Sequence, residues 1–345
     1  MIKVQFAIPG DIATLSGGYA YDRQLMAALG QFGVDIAHLQ LPDGFPVPTT
    51  AELEETARLL AAVPAECVLL IDGLAMGVLP EDCLGAVAAP IVSMLHHPLG
   101  LETGLDRVTS QRLLNSERAA LKYARHIIVT SPTTAEILRD LSFAPPPPVT
   151  VAEPGTEPAP RAVGGTGRIE IVSVGAVVQR KGHDLLIAAL AGLADLDWQC
   201  TILGSLDRDS AFVSRLRHQI SEAGLSERIR FIGAADPQSH YARADIFALP
   251  SRYEGYGMVF AEALARGLPV VALKAGAVPG TVPASAGLLV PPEDVTALRE
   301  ALASLITDRA LRQTLSDAAW AHGQGLPRWA DTARTIADVL KEVRA

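Results

Sequence analysis

The chain has 345 residues, 49% hydrophobic and 19% charged, with a net charge of −9. Its length exceeds one ordinary core and points to two domains, while the negative charge argues against a nucleic-acid backbone as main partner, because that binding needs clustered cations. No run approaches the roughly 18–20 uninterrupted apolar residues of a membrane span, and the widely spaced Cys67, Cys83 and Cys200 frame neither a disulfide scaffold nor a zinc site, which fits a reducing cytoplasm.

The opening MIKVQFAIPGD has an apolar run too brief for a signal peptide and reads as a first strand. A helical run from Tyr19 to Phe32, VDIAHLQL, a helix near Ala51–Ala62 and CVLLID follow. Then come PIVSML, an amphipathic stretch from Ser110 to Ala124, HIIVT, a helix from Pro132 to Leu141 and VTVAE. Strands alternating with helices predict a parallel, doubly wound sheet. The prolines Pro145–Pro148 and the Pro/Gly-rich run from Pro154 to Gly167 cannot hold regular structure. They place a linker at about 144–168, closing a first lobe over 1–160. A second alternation, over 168–325, begins with IEIVSVG and a helix from Gly182 to Leu193. CTILG, a helix near Asp209–Ala223, IRFIG, DIFALP, a helix from about Gly257, PVVAL and GLLV complete it. Helical runs from Pro292 to Trp320 and from Arg328 to Val343 end the chain, broken at Gly323, Gly325 and Pro327. The last, in 326–345, is expected to pack back on the first lobe.

The segment PSRYEGYGMVFAEALARGLPVV, residues 250–271, is a strand–glycine loop–helix–strand unit. Gly255 and Gly257 let the backbone approach a ligand, and the helix beginning there aims free N–H groups and its positive dipole end at the loop. A pyrophosphate suits that position. Glu254 and Glu262 lie roughly 12 Å apart if the span between them is helical. That is too far to share a proton, and suits two carboxylates accepting hydrogen bonds from hydroxyls at opposite ends of one extended ligand.

This stretch resembles the signature of the retaining family 4 glycosyltransferases (glycosyl transferases group 1), P-S-x-x-E-G-[FY]-G-x(4)-E-A-x-A-x-G-x-P-V-V, with every named position present. The resemblance implies a GT-B fold, α/β, with two Rossmann-like doubly wound lobes facing across a cleft, acceptor side first and nucleotide-sugar donor side second. It implies metal-independent transfer of a sugar, with retention, from a nucleotide-diphosphate sugar to a hydroxyl acceptor. That acceptor, a glycan, lipid or small molecule, stays open, as do the sugar and the base. No cofactor is implied. Glu254 would contact the transferred sugar and Glu262 the ribose. The backbone of Gly255, Tyr256, Gly257, Met258 and Val259 would meet sugar hydroxyls and phosphates.

Other segments extend the resemblance. In SVGAVVQRKG, the adjacent Arg180 and Lys181 would face the diphosphate and stabilise the charge that grows as it leaves. The chain departs from the family at Ala176, where arginine is common, and at Gly280, where relatives carry an acid. Gly17 and Gly18 match the family's N-terminal diglycine, where backbone passes the pyrophosphate; no G-x-G-x-x-G dinucleotide fingerprint is present, which counts against a nicotinamide enzyme. His96 and His97 follow the strand PIVSML at the ligand-binding edge, and relatives place a histidine there against the sugar. His97 is preferred, with His96 open, since alternation sends the two side chains to opposite sides.

The D-x-D segments Asp195–Asp197 and Asp207–Asp209 have the form other glycosyltransferases use for a divalent cation, yet they fall at helix ends and read as caps. No metal site is expected. The segment Arg107–Arg125 has five cations in nineteen residues, a pattern that can seat on anionic lipid at the inner face of a membrane; Asp106 and Glu117 interrupt it and favour a solvated face. Competing readings are another GT-B activity, such as a nucleotide-sugar epimerase or a phosphorylase, and a catalytically silent nucleotide-sugar-binding module.

Overall fold

The computed structural model describes residues 1–140, 147–165 and 167–345. Residues 144–146 and 166 of the expected linker lie outside the described residues, as does Leu141, the expected end of a helix. The chain forms two compact units, one made of Met1–Gly155 with Pro327–Ala345 and the other of Thr156–Leu326.

In the first unit the order is β1 (Ile2–Pro9), α1 (Gly17–Leu29), β2 (Val34–Leu41), α2 (Thr50–Ala61), β3 (Val68–Asp72), α3 (Gly73–Met76), α4 (Glu81–Gly85), β4 (Ile91–Leu95), α5 (Arg107–Leu121), β5 (His126–Val129), α6 (Pro132–Asp140) and β6 (Val149–Val151). Local chemistry sets several starts. Thr49 and Glu52 form a reciprocal capping box on α2, and Asp106 accepts from Val108 and Thr109 at the head of α5. Helix α1 begins two residues before the expected Tyr19, because Ser16 accepts from the Tyr19 amide. Gly17 and Gly18 are therefore its first turn rather than a connecting turn.

The second unit runs β7 (Ile169–Val174), α7 (His183–Ala191), β8 (Trp198–Leu203), α8 (Ser210–Glu222), β9 (Ile229–Gly233), α9 (Gln238–Arg243), β10 (Ile246–Leu249), α10 (Met258–Leu264), β11 (Val270–Leu273), α11 (Val278–Thr281), β12 (Gly287–Val290), α12 (Val295–Thr307) and α13 (Arg309–Gln324). The helical run read as continuous from Pro292 to Trp320 is two helices, because Asp308 turns extended and caps α13 by accepting from Leu311. Helix α14 (Trp329–Arg344) closes the first unit. No helix among the described residues is long and apolar enough to cross a membrane.

Each unit holds a six-stranded parallel sheet, in the orders β2-β1-β3-β4-β5-β6 and β12-β11-β10-β7-β8-β9. Ile171 and Ile246 pack into one apolar cluster of the second unit, and their neighbours Val172 and Phe247 into another. Both faces of that sheet are thus covered, which is why its strands read as apolar runs rather than alternating ones. Strand order reverses between β1 and β3 and between β7 and β10. Open α/β sheets bind ligands at the carboxyl ends beside such a reversal, so those two edges are where function is expected.

Candidate functional site

At the reversal in the second unit, two loops meet. Strand β7 leads into a 3₁₀ turn, Gln179–Lys181, closed by Gly182 at φ +68. A Cβ on Gly182 would run into the Pro250 carbonyl, so this turn lies directly against the start of the loop after β10. A third loop backs the second: the Ala277 amide donates to the Glu254 carbonyl at 2.9 Å, and Thr281 Oγ1 donates to the Tyr256 carbonyl at 2.7 Å.

The three loops bring the signature acid and both cations together. Lys181 Nζ donates to Glu254 Oε1 at 2.6 Å, and Arg180 Nη1 donates to Oε2 at 3.3 Å and to the Tyr253 carbonyl at 2.8 Å. The Glu254 side chain is 7% exposed, against 12% for Lys181 and 23% for Arg180. Burial alone would raise the Glu254 carboxyl, but the Lys181 and Arg180 charges outweigh it and hold it below its ordinary value. The ionised Glu254 carboxylate thus stands between the two cations.

Glu262 has a different setting. Tyr241, from α9, donates its hydroxyl to Glu262 Oε2 at 3.0 Å, and Arg266 lies over the Tyr241 ring. Burial raises this carboxyl, opposed by the Tyr241 hydrogen bond and the Arg266 charge. The signature's two acids are therefore separate in environment. Only part of the span between them is helical, since α10 begins at Met258, after Gly257 at φ +88.

In the first unit the carboxyl edge carries a buried polar group. His96 Nε2 lies 3.2 Å from Asp22 Oδ1 and 3.4 Å from Asp72 Oδ2, and a Cβ on Gly18 would sit 3.3 Å from the ring. Burial would lower the imidazole, but the two carboxylates raise it well above its ordinary range, and its Nε2 shares a hydrogen bond with Asp22 Oδ1. Burial likewise raises Asp22. These three side chains place their ligand atoms within 4.8 Å of one another, the single such group among the described residues. His97 lies apart, with Nε2 3.2 Å from Glu102 Oε2. Asp209 caps α8 by accepting from Phe212, and Asp195 and Asp197 sit in the turn before β8.

Sequence reasoning missed Asp22 and Asp72, each hidden in or beside an apolar run. It also missed Tyr241, whose role appears only where α9 brings its hydroxyl to Glu262 on α10. A cavity of about 560 Å³ in the second unit is lined by Glu170, Gln199, Thr201, His240 and Arg243, and by none of the signature residues.

Residues 161–321 match the family described as Glycosyl transferases group 1. Among curated proteins, the chain is 34% identical over 176 residues to the lipopolysaccharide core biosynthesis mannosyltransferase LpsB of Rhizobium meliloti, covering 48% of each chain. It is 31% identical over 242 residues to a D-inositol 3-phosphate glycosyltransferase of Corynebacterium glutamicum, covering 63% of this chain and 58% of that one. The chain thus spans about half the length of the curated relatives it matches. Among solved structures, sucrose-phosphate synthase from Thermosynechococcus elongatus superposes with a TM-score of 0.85 at 23% identity, over 99% of both chains. Anabaena HepE in complex with UDP and glucose superposes with a TM-score of 0.76 at 19% identity, over 99% of this chain and 100% of that one. These likenesses place both sheets in the GT-B fold class.

Proposed function

We propose that the chain is a retaining glycosyltransferase that moves a sugar from a nucleotide-diphosphate sugar to a hydroxyl acceptor without a metal ion. The observation that carries this reading is the Glu254–Lys181–Arg180 cluster at the β7/β10 reversal of a Rossmann sheet. A diphosphate meets Arg180 and Lys181, whose charges stabilise the negative charge that grows as the anomeric C–O bond breaks. Glu254, held ionised, accepts a hydrogen bond from a sugar hydroxyl, and this bond tightens as the anomeric carbon becomes cationic. The acceptor oxygen bonds to that carbon on the face the diphosphate leaves, and its proton passes to a departing phosphate oxygen. Glu262, supported by Tyr241, accepts from the ribose, and the backbone of Gly255–Val259 lines the sugar and phosphates. The assignment of Gly17, Gly18 and His97 to the donor rests on the resemblance alone.

The test is release of nucleoside diphosphate from GDP- and UDP-sugars under saturating EDTA, followed by the anomeric configuration of the product by NMR. One donor is expected to turn over equally with and without EDTA and to give the starting anomer. Arg180→Ala and Lys181→Ala are each expected to lose about 10² to 10³ in kcat. Strict dependence on Mg²⁺ or Mn²⁺, or an inverted product, overturns the reading.

A further inference from the structure

Arg252 lies inside the signature loop at a position the signature leaves free, two residues before Glu254. Its surroundings differ from those of Arg180 and Lys181. A guanidinium has five N–H groups, and all five of Arg252's have acceptors. Nε donates to Glu293 Oε1 at 2.8 Å. Nη1 donates to the Gln179 carbonyl at 2.6 Å and to Asp184 Oδ1 at 2.9 Å, and Nη2 to Asp184 Oδ2 at 2.8 Å and Glu293 Oε2 at 3.1 Å. The Arg252 amide also donates to the Arg180 carbonyl at 2.8 Å. No donor is left for a phosphate, so this cation faces inward to the protein although it sits among residues read as donor ligands.

The backbone of Glu293 points the same way. It has φ +59, and it is the only non-glycine residue with positive φ among the described residues. Side chains resist that region, and a residue held there has surroundings that over-determine it. Glu293 is the third residue of a turn closed by the Asp294 amide donating to the Pro291 carbonyl at 3.4 Å, and its carboxylate, so presented, grips Arg252 in a planar fork that an ammonium cannot reproduce. Asp184, the other carboxylate, stands three residues after Lys181 and in the first turn of α7.

We propose that Arg252 is a positioning residue that clamps the Gln179–Lys181 turn, with Asp184 and Glu293 as its two anchors, so that Arg180 and Lys181 are presented together beside Glu254. The clamp rests on the reading of those two cations as diphosphate ligands, but its geometry is testable without a donor. Displacement of catalytic groups by even about 1 Å costs as much as 10²-fold in rate, so fixing this turn is worth a strained residue elsewhere.

The experiment uses the full chain and three variants: Arg252→Gln, Arg252→Lys and Glu293→Gly. Amide hydrogen exchange is measured over the peptide 176–184, binding of UDP, GDP, ADP, CDP and dTDP by calorimetry, and thermal midpoint separately. In Arg252→Gln, exchange in that peptide is expected to rise at least about tenfold above its change elsewhere, with nucleotide affinity falling. Arg252→Lys keeps the charge but not the fork and is expected to restore only part of the affinity. Glu293→Gly removes both the strain and an anchor, so its midpoint should hold or rise while its nucleotide affinity falls; a merely structural residue would not separate the two. Unchanged exchange in peptide 176–184, or affinity that tracks the midpoint in all three variants, overturns the clamp. Wild-type chain that binds none of UDP, GDP, ADP, CDP and dTDP overturns the functional proposal, while the exchange measurement still decides the clamp.

Discussion

Buried acids in this chain are handled in opposite ways, and the difference follows from what faces each. Glu254 has two cations within hydrogen-bond reach and stays ionised, whereas Glu117 on α5 is fully buried with one partner, the Leu99 amide donating to Oε1 at 3.3 Å. Its other oxygen has no hydrogen-bond partner among the described residues. Burial, opposed only by that one amide, pushes the Glu117 carboxyl up to about 8. Below pH of about 4 the group is protonated in both folded and unfolded chains. As pH rises towards 8, the unfolded chain releases the proton and the folded chain keeps it. Stability therefore falls by about 1.4 kcal/mol per pH unit from this group. Glu117→Gln removes the titration, so its thermal midpoint should match wild type near pH 4 and exceed it increasingly from pH 5 to 8. A difference that does not change with pH would show that Glu117 does not carry a raised carboxyl. Sequence reading saw this residue only as an interruption in a basic helix, since nothing within its own turn signals that the Leu99 turn covers it.

At the scale of elements, the signature loop depends on the loop behind it. Gly276 has φ +52, and a Cβ there would run into the Glu254 carbonyl and lie 2.9 Å from its amide nitrogen. Gly276→Ala must therefore displace the segment that carries Glu254, and it should cost about 1–3 kcal/mol and depress turnover by more than its midpoint shift explains. Gly280, four residues on, is exposed with open space around it and no such φ. Gly280→Ala should stay within about 0.5 kcal/mol of wild type with full activity. Equal behaviour of the two variants, in denaturant titration and in kcat, would dissociate this loop from Glu254. The periodic signals located most of these elements, and caps such as Thr49, Asp106 and Asp294 mark helix starts in the sequence. The short α3, α4, α9 and α11 escaped, because four to six residues are too few to display a helical period.

At the scale of the molecule, the chain leaves the first unit at Gly155 and returns at Pro327. The return is fastened locally: Thr332 Oγ1 donates to the Glu153 carbonyl at 2.7 Å, and a Cβ on Gly155 would collide with the Trp329 backbone. Helix α14 then buries Trp329, Ile336, Val339 and Leu340, with the Trp329 ring 5.4 Å from the Tyr21 ring. Burying four such side chains contributes roughly 1.5–3 kcal/mol each, a sum comparable with the 5–15 kcal/mol that typically holds a whole domain. Deleting residues 327–345 should therefore abolish the cooperative calorimetric transition of the first unit while leaving that of the second, and a fragment of 156–326 should fold alone. Two unchanged transitions in the truncated chain would sink this assignment.

What the sequence by itself determined is local: the alternation of strands and helices, a second sheet read from its apolar runs, and a glycine-rich loop flanked by two acids. These signals repeat within two to four residues, so a single chain displays them. Only the tertiary structure decided that Glu254 meets cations 73 and 74 residues away, that Arg252 faces Asp184 rather than a ligand, and that His96 stands between Asp22 and Asp72. Such pairs form because strand order brings distant loops to one sheet edge, and strand order depends on how whole crossovers pack, which no spacing along the chain encodes.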